Sequence, residues 1–141
     1  MIKLASDMND IFKLQDKVDE YKGTEVELNK FFNFLIMGMY QGTVFPFLSY
    51  IDDYMNGCLV AVKGIDMASN FLYVMFVWTD AHYPKVIDEL SVVLDKKAEE
   101  LGIGRILIVT DKNPSAVRRR IKHLGYTKEY VVFEKKVTNN D

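Results

Sequence analysis

The stretch PKVIDELSVVLDKKAEELGIGRILIVT, residues 84–110, decides the fold class. Val86, Ile87, Leu90, Val93, Leu94, Ala98 and Leu101 recur at intervals of three and four, which gathers them on one face of a helix. Asp88, Glu89, Asp95, Lys96, Lys97, Glu99 and Glu100 take the opposite, solvated face. Pro84 suits a first helical turn, where its missing N–H has no intrahelical partner to lose. Gly102 closes the helix. The apolar run Arg105–Thr110 then reads as a buried strand. A helical crossover brings it parallel to the preceding apolar run, Phe71–Thr79.

Working outward toward the N-terminus, Phe71–Thr79 is apolar on both faces and therefore sits mid-sheet. Val44–Ile51, Cys58–Ile65 and Phe71–Thr79 make an antiparallel meander. Pro46 predicts an edge position or a late start for its strand, because proline cannot donate to a ladder. Asn56–Gly57 supplies a hairpin signal. Before the meander, Met1–Ser6 is a short strand, and Asp7 caps a helix reaching about Lys22, with Met8, Ile11, Leu14, Val18 and Tyr21 on one stripe and Gly23 as its stop. Thr24-x-x-Glu27 has capping-box spacing and opens a second helix. Phe31, Phe32, Leu35, Ile36 and Met39 form its core face, leaving Phe34, Met37 and Tyr40 for a groove or a partner. Beyond residue 110, Asn113–Pro114 starts a helix over Val117, Ile121 and Leu124 that ends at Gly125. Tyr126–Val137 supplies one long terminal strand or a pair. The order β-α-α-β-β-β-α-β-α-β predicts an α+β fold: one domain over 1–137, with a mixed, mostly antiparallel sheet flanked by about four helices, and 138–141 as a disordered tail.

Composition excludes several classes. Of 141 residues, 49% are hydrophobic and 27% charged, so the chain is globular rather than disordered. Eighteen Lys and Arg against twenty Asp and Glu give a net charge of -2, which offers no whole-chain attraction to nucleic acid or an anionic membrane. Cys58 is the only cysteine, so no intramolecular disulfide and no thiolate zinc cluster can form. It reads as a small buried hydrophobe. With two histidines, His82 and His123, no metal site is expected. The longest apolar run, Phe71–Trp78, is far short of the roughly 20 residues that span a membrane. The expected location is cytoplasmic, or intravirion for a viral protein.

Ala98-Glu99-Glu100-Leu101-Gly102-Ile103-Gly104-Arg105-Ile106-Leu107-Ile108, then Asn113-Pro114-Ser115-Ala116 and Leu124-Gly125-Tyr126, resembles the GNAT superfamily of acetyl-CoA-dependent N-acyltransferases. The order of elements agrees with that family along the whole chain. The resemblance implies transfer of an acetyl group from acetyl-CoA to a small-molecule or protein amine. It implies backbone N–H groups near Val77 to Thr79 polarising the thioester carbonyl, with Asp80 or His82 as base. Val77, Thr79, Lys85, Val86 and Asn113 would lie against the coenzyme.

Two departures bear on activity. The family's Q/R-x-x-G-x-G/A diphosphate loop falls on His82-Tyr83-Pro84-Lys85-Val86-Ile87, where Lys85 and Ile87 replace the small residues and Pro84 removes an N–H. The family's general-acid tyrosine falls on Ile121, or on Arg120 in the neighbouring register, leaving Tyr126 and Tyr130 as substitutes. The alternative reading is therefore a catalytically inactive GNAT-fold binding or assembly protein, resembling accessory virion components of some tailed phages. Its partner would be another protein or a second copy. Asp80 reads equally as a strand-end turn residue, and His82 as a solvated loop histidine. Arg118-Arg119-Arg120 with Lys122 and His123 is a basic helical face open to coenzyme phosphates, to nucleic acid or simply to water, and the acidic total ranks nucleic acid low.

Overall fold

In the computed structural model, which describes residues 1–23, 27–110 and 113–137, the chain falls into two compact units. The first, Met1–Asp111, contains β1 (Ile2–Leu4), α1 (Met8–Lys22), α2 (Leu28–Gln41), β2 (Val44–Ile51), β3 (Tyr54–Ile65), β4 (Asn70–Thr79), α3 (Val86–Glu100) and β5 (Ile106–Ile108). The second, Lys112–Asp141, contains α4 (Pro114–Ile121) and the 3-10 turn Lys122–Leu124. The five strands form one sheet in the order β1-β2-β3-β4-β5, antiparallel except for the parallel pair β4·β5.

Two hydrophobic layers cover the sheet. On one face Ile11, Leu14 and Val18 of α1 and Phe31 and Leu35 of α2 pack against Val44, Leu48, Cys58, Val60, Val62 and Phe76. On the other, Val86, Leu90, Leu94 and Ala98 of α3 pack against Phe45, Phe47, Leu59, Ala61, Leu72 and Val74. The alternation along β2 and β3 is the strand period of two made visible. Each fully buried Leu or Val contributes roughly 1.5–3 kcal/mol over an exposed one. The expected stripes hold for α1 and α3, although Met8 and Tyr21 stay exposed at 44% and 50%. On α2, Ile36 is exposed instead of buried, and Gly38 takes the inward place. A Cβ at Gly38 would stand 2.1 Å from the Val44 side chain, so α2 and β2 meet there without room for anything larger.

Helix starts follow capping chemistry. The Asp7 carboxylate accepts from the Asp10 N–H, and Asn113 Oδ1 accepts from the Ser115 N–H ahead of Pro114. α2 begins later than the capping box predicts: Glu27 is its cap, with its carboxylate accepting from Asn29 N–H, while Thr24 lies outside the described residues.

Three expectations need correcting. Pro46 is not on an edge, since β1 covers β2. Its carbonyl, and so its imino nitrogen, faces β1 where Ala5 N–H bonds to that carbonyl at 2.8 Å, so no bond to β3 is lost. The hairpin turn is Asp52–Asp53, closed by the pair Ile51↔Tyr54 with Asp52 at φ 53, and Asn56–Gly57 lies inside β3. Gly57 serves close approach instead of a turn: a Cβ there would lie 2.5 Å from Val86 Cγ1 of α3. Finally, residues 126–137 form no strand among the described residues, and Tyr130, Val131, Val132 and Phe133 are exposed. Alternating composition supplies only half of a strand. The other half is a hydrogen-bonded neighbour. The proposed tail, 138–141, lies outside the described residues.

A buried carboxylate fastens the first helix to the sheet. Asp10, its side chain 3% exposed, accepts from Ser6 N–H (3.0 Å), Tyr50 O–H (2.9 Å) and Lys3 Nζ (3.0 Å). Burial alone would raise its pKa, but the Ser6 amide, Lys3 and Tyr50 together outweigh burial and hold it below the ordinary value. A depressed carboxylate stabilises the fold above its unfolded pKa and loses that contribution as pH falls through the folded one. Asp10→Asn should therefore cost roughly 1–3 kcal/mol in urea unfolding at neutral pH. The gap to the parent protein should narrow in acid, and a gap independent of pH would contradict this role. Gly57→Ala should cost about 1–3 kcal/mol through overpacking against Val86, read in the same assay.

Candidate functional site

The site is set by where β4 parts from β5. Their pairing is confined to Leu72↔Ile106, Tyr73↔Leu107 and Val74↔Ile108, yet β4 runs on to Thr79. One residue past the last pair, the register with β3 slips, from Ala61↔Val74 to Val60↔Phe76, leaving Met75 as the extra residue of a bulge. The bulge exchanges faces. Leu72 and Val74 pack toward α3 before it, whereas after it Phe76 and Trp78 pack toward α1 and α2, and Val77 toward α3. Val77 pairs with Leu59, and Thr79 ends the strand opposite Gly57.

Asp80 follows, and its N–H donates to the Asn56 carbonyl at 2.9 Å. Its carboxylate is the hub of the site. Oδ1 accepts from the His82 N–H at 2.8 Å and contacts His82 Nδ1 at 2.9 Å, while Oδ2 accepts from the Tyr54 hydroxyl. The Asp80 side chain is 13% exposed and that of His82 is 90% exposed. The Tyr54 hydroxyl foremost, then the His82 amide and ring, hold the Asp80 carboxyl down at about 2. In return that hydrogen bond, with burial second, pushes the Tyr54 phenol up to about 12. A carboxylate facing Nδ1 assigns the ring proton to that nitrogen, which makes Nε2 the imidazole's acceptor. Tyr83, its ring 6.3 Å from that of Tyr54, stands at the start of the turn into α3.

The two candidate catalytic residues, Asp80 and His82, are thus in contact. Of the candidate coenzyme residues, Lys85 is exposed at the cap position of α3, whereas Val86 is 4% exposed with its side chain in the core over Gly57. Asn113 belongs to the second unit and spends its side chain on capping α4. Tyr54 was not legible as a site residue, because only the Asp52–Asp53 turn and the β3–β4 register carry it to Asp80. Asn56, the extra residue of a second bulge opposite Ser49 and Tyr50, is 5% exposed, and its Oδ1 has no partner among the described residues. Cys58 is fully buried, and burial pushes its thiol up to about 12, which suits packing and not nucleophilic attack. In the second unit, Arg118 of the basic face pairs with Glu129 at 2.6 Å.

No protein-family model and no curated protein sequence matches the chain. Solved structures do. AAC(6')-Iy in complex with the bisubstrate analogue CoA-S-monomethyl-acetylneamine superposes with a TM-score of 0.78 at 12% identity, covering 98% of each chain. A ribosomal-protein-alanine N-acetyltransferase from Brucella melitensis biovar Abortus 2308 gives 0.74 at 12%, covering 96% of this chain and 99% of that one. A predicted acetyltransferase with acetyl-CoA from Clostridium acetobutylicum gives 0.74 at 13%, covering 97% of both. The chain has the GNAT acetyltransferase fold. At these identities the likeness is one of fold.

Whether the GNAT coenzyme fits can be judged at the start of α3, where the resemblance puts its diphosphate. A helix terminus holds phosphate through backbone N–H groups that have no other partner. Here the His82 N–H goes to Asp80 Oδ1 (2.8 Å), Tyr83 N–H to the Asp80 carbonyl (2.9 Å) and Val86 N–H to the Tyr83 carbonyl (3.1 Å), and Pro84 has none. The charges nearby are the Asp80 carboxylate, Asp88 and Glu89 in the first helical turn and, of opposite sign, Lys85 at the cap position. Of the amides over 82–87, those of Lys85 and Ile87 are left for an anion, so these residues fit a diphosphate only in part. No helix among the described residues is long and apolar enough to cross a membrane. Tyr54→Phe should let the Asp80 pKa rise from about 2 toward the ordinary carboxylate value, followed by the NMR titration of its side-chain carbon. An unmoved titration would mean that the phenol does not hold the carboxylate.

Proposed function

We propose that the chain is an amine N-acyltransferase in which His82 takes the proton of the acceptor amine and Asp80 orients it. The observation that carries this reading is the 2.9 Å contact of His82 Nδ1 with Asp80 Oδ1, at the end of the strand that parts from its neighbour. Acyl transfer to nitrogen needs a base for the ammonium or for the zwitterionic adduct, and donors for the oxygen that becomes negative. A carboxylate at about 2 is too weak a base, and its oxygens are engaged by Tyr54 and His82. Asp80 therefore acts as a fixed anion: it sets the tautomer and stabilises the imidazolium once Nε2 is protonated. The backbone of β4 past Val74, beyond the β5 ladder, is where N–H donors for the carbonyl oxygen would come from.

The proposed partner is a small-molecule or protein amine. One observation favours a second reading, that of a GNAT-fold binding or assembly protein: the His82, Tyr83 and Val86 amides are already engaged and Pro84 has none. Thiol release from acetyl-CoA across a panel of primary amines tests both. Amine-dependent release that falls about 10²-fold in His82→Gln, and recovers toward the parent rate as the pH is raised, is the result expected of a lost base. Full activity in His82→Gln would remove the histidine from the mechanism. No release with any amine would favour the non-catalytic reading.

A further inference from the structure

We propose that the second unit is a binding site for single-stranded nucleic acid, which its Lys and Arg side chains hold by the phosphates while Tyr130 and Phe133 stack on bases. The site is independent of the acyl-transfer reading. The total charge of -2, which argues against such a partner, averages two unlike parts of the chain. Residues 113–137 hold seven Lys and Arg against two Glu, a net charge of +5, and the remaining residues hold eleven against eighteen, a net charge of -7. A polyanion is drawn to the basic unit alone. Within that unit the cations are mostly left over. Arg118 Nε donates to Glu129 Oε1 at 2.6 Å, which uses one of the two glutamates and ties α4 to residues 126–137. Arg119, Lys122, Lys128, Lys135 and Lys136 are exposed, with no carboxylate partner among the described residues. Arg119 and Lys122 stand three apart at the end of α4, and so lie side by side.

The aromatic rings select the kind of polyanion. Residues 126–137 join no ladder among the described residues, and Tyr130 is 57% and Phe133 92% exposed. Lys128 Nζ lies 5.1 Å from the centre of the Tyr130 ring, and Lys135 follows Phe133 by two positions. A ring beside a cation matches a nucleotide with a free base: the ring takes the base face and the cation its phosphate. A duplex keeps its base faces stacked on one another, and a lipid surface has none to offer. Charge complementarity thus sets the sign of the partner, and the rings set its single-stranded form.

Fluorescence anisotropy of a labelled oligothymidylate of about 12 nucleotides, titrated with the full chain, tests the proposal. Binding is expected at about 50 mM salt, with an affinity whose logarithm falls linearly with the logarithm of salt concentration. Arg119→Ser with Lys122→Ser should flatten that slope by about 1.4, the share of two single-strand phosphate contacts, while Arg119→Lys with Lys122→Arg keeps it. Tyr130→Ser with Phe133→Ser should weaken the oligonucleotide about tenfold or more and leave inorganic polyphosphate, a polyanion without bases, unchanged. No binding, a slope unmoved by the charge change, or an aromatic change that affects oligonucleotide and polyphosphate alike would each overturn the proposal. So would tighter binding to phosphatidylserine vesicles than to the oligonucleotide, which would make the patch a membrane surface.

Discussion

A strand has a period of two, so one inserted residue interchanges everything that follows it. Met75 is that residue in β4, and the rest of the site depends on it. Before the bulge the strand is tied on both sides, to β3 and to β5, and its even-numbered residues feed the α3 core. After it β4 keeps its ladder with β3 alone, and Phe76 and Trp78 turn to the α1/α2 side. Without the insertion Trp78 would point at α3 and Val77 at α1. The bulge also increases local twist at the point where the β5 ladder ends. Asp80 follows at the end of the stretch of β4 that lies beyond the β5 ladder.

The end of β4 is held by β3. Gly57 admits α3 close to the sheet, and the Asn56 carbonyl takes the Asp80 N–H, so the strand end and the helix start are both anchored to consecutive residues. Tyr54, two residues earlier, reaches the Asp80 carboxylate. One short segment, Tyr54–Gly57, therefore fixes the carboxylate, its backbone and the neighbouring helix. The bulge at Asn56 that makes this possible buries the Asn56 side-chain Oδ1 without a partner among the described residues.

Much of this was legible in residue order. The apolar spacing of α3, the Asp7 and Asn113 caps, the Gly102 stop and the parallel return of β5 all rest on local chemistry, and local chemistry is what sequence displays. Asp80 and His82 were legible for the same reason: they lie two positions apart, so their contact needs no tertiary information. What failed was whatever depends on a partner. Asn56–Gly57 looks like a turn until Val86 is known to sit over the glycine, and Pro46 looks like an edge until β1 is known to cover it. Residues 126–137 have the composition of a strand, but composition cannot supply the ladder. Tyr54 was missed because 26 residues separate it from Asp80.

The electrostatics at the start of α3 follow from the same anchoring. A helix terminus is positive only to the extent that its amides are unmet. Asp80 meets one of the preceding amides with its carboxylate and another with its carbonyl, and Tyr83 meets a third. The group that orients His82 is therefore also the group that engages two of the amides ahead of α3, those of His82 and Tyr83. What an anion could still find there is the pair of amides at Lys85 and Ile87, on either side of the core-bound Val86. The turn that fixes the carboxylate beside His82 thus also sets which donors the helix start keeps.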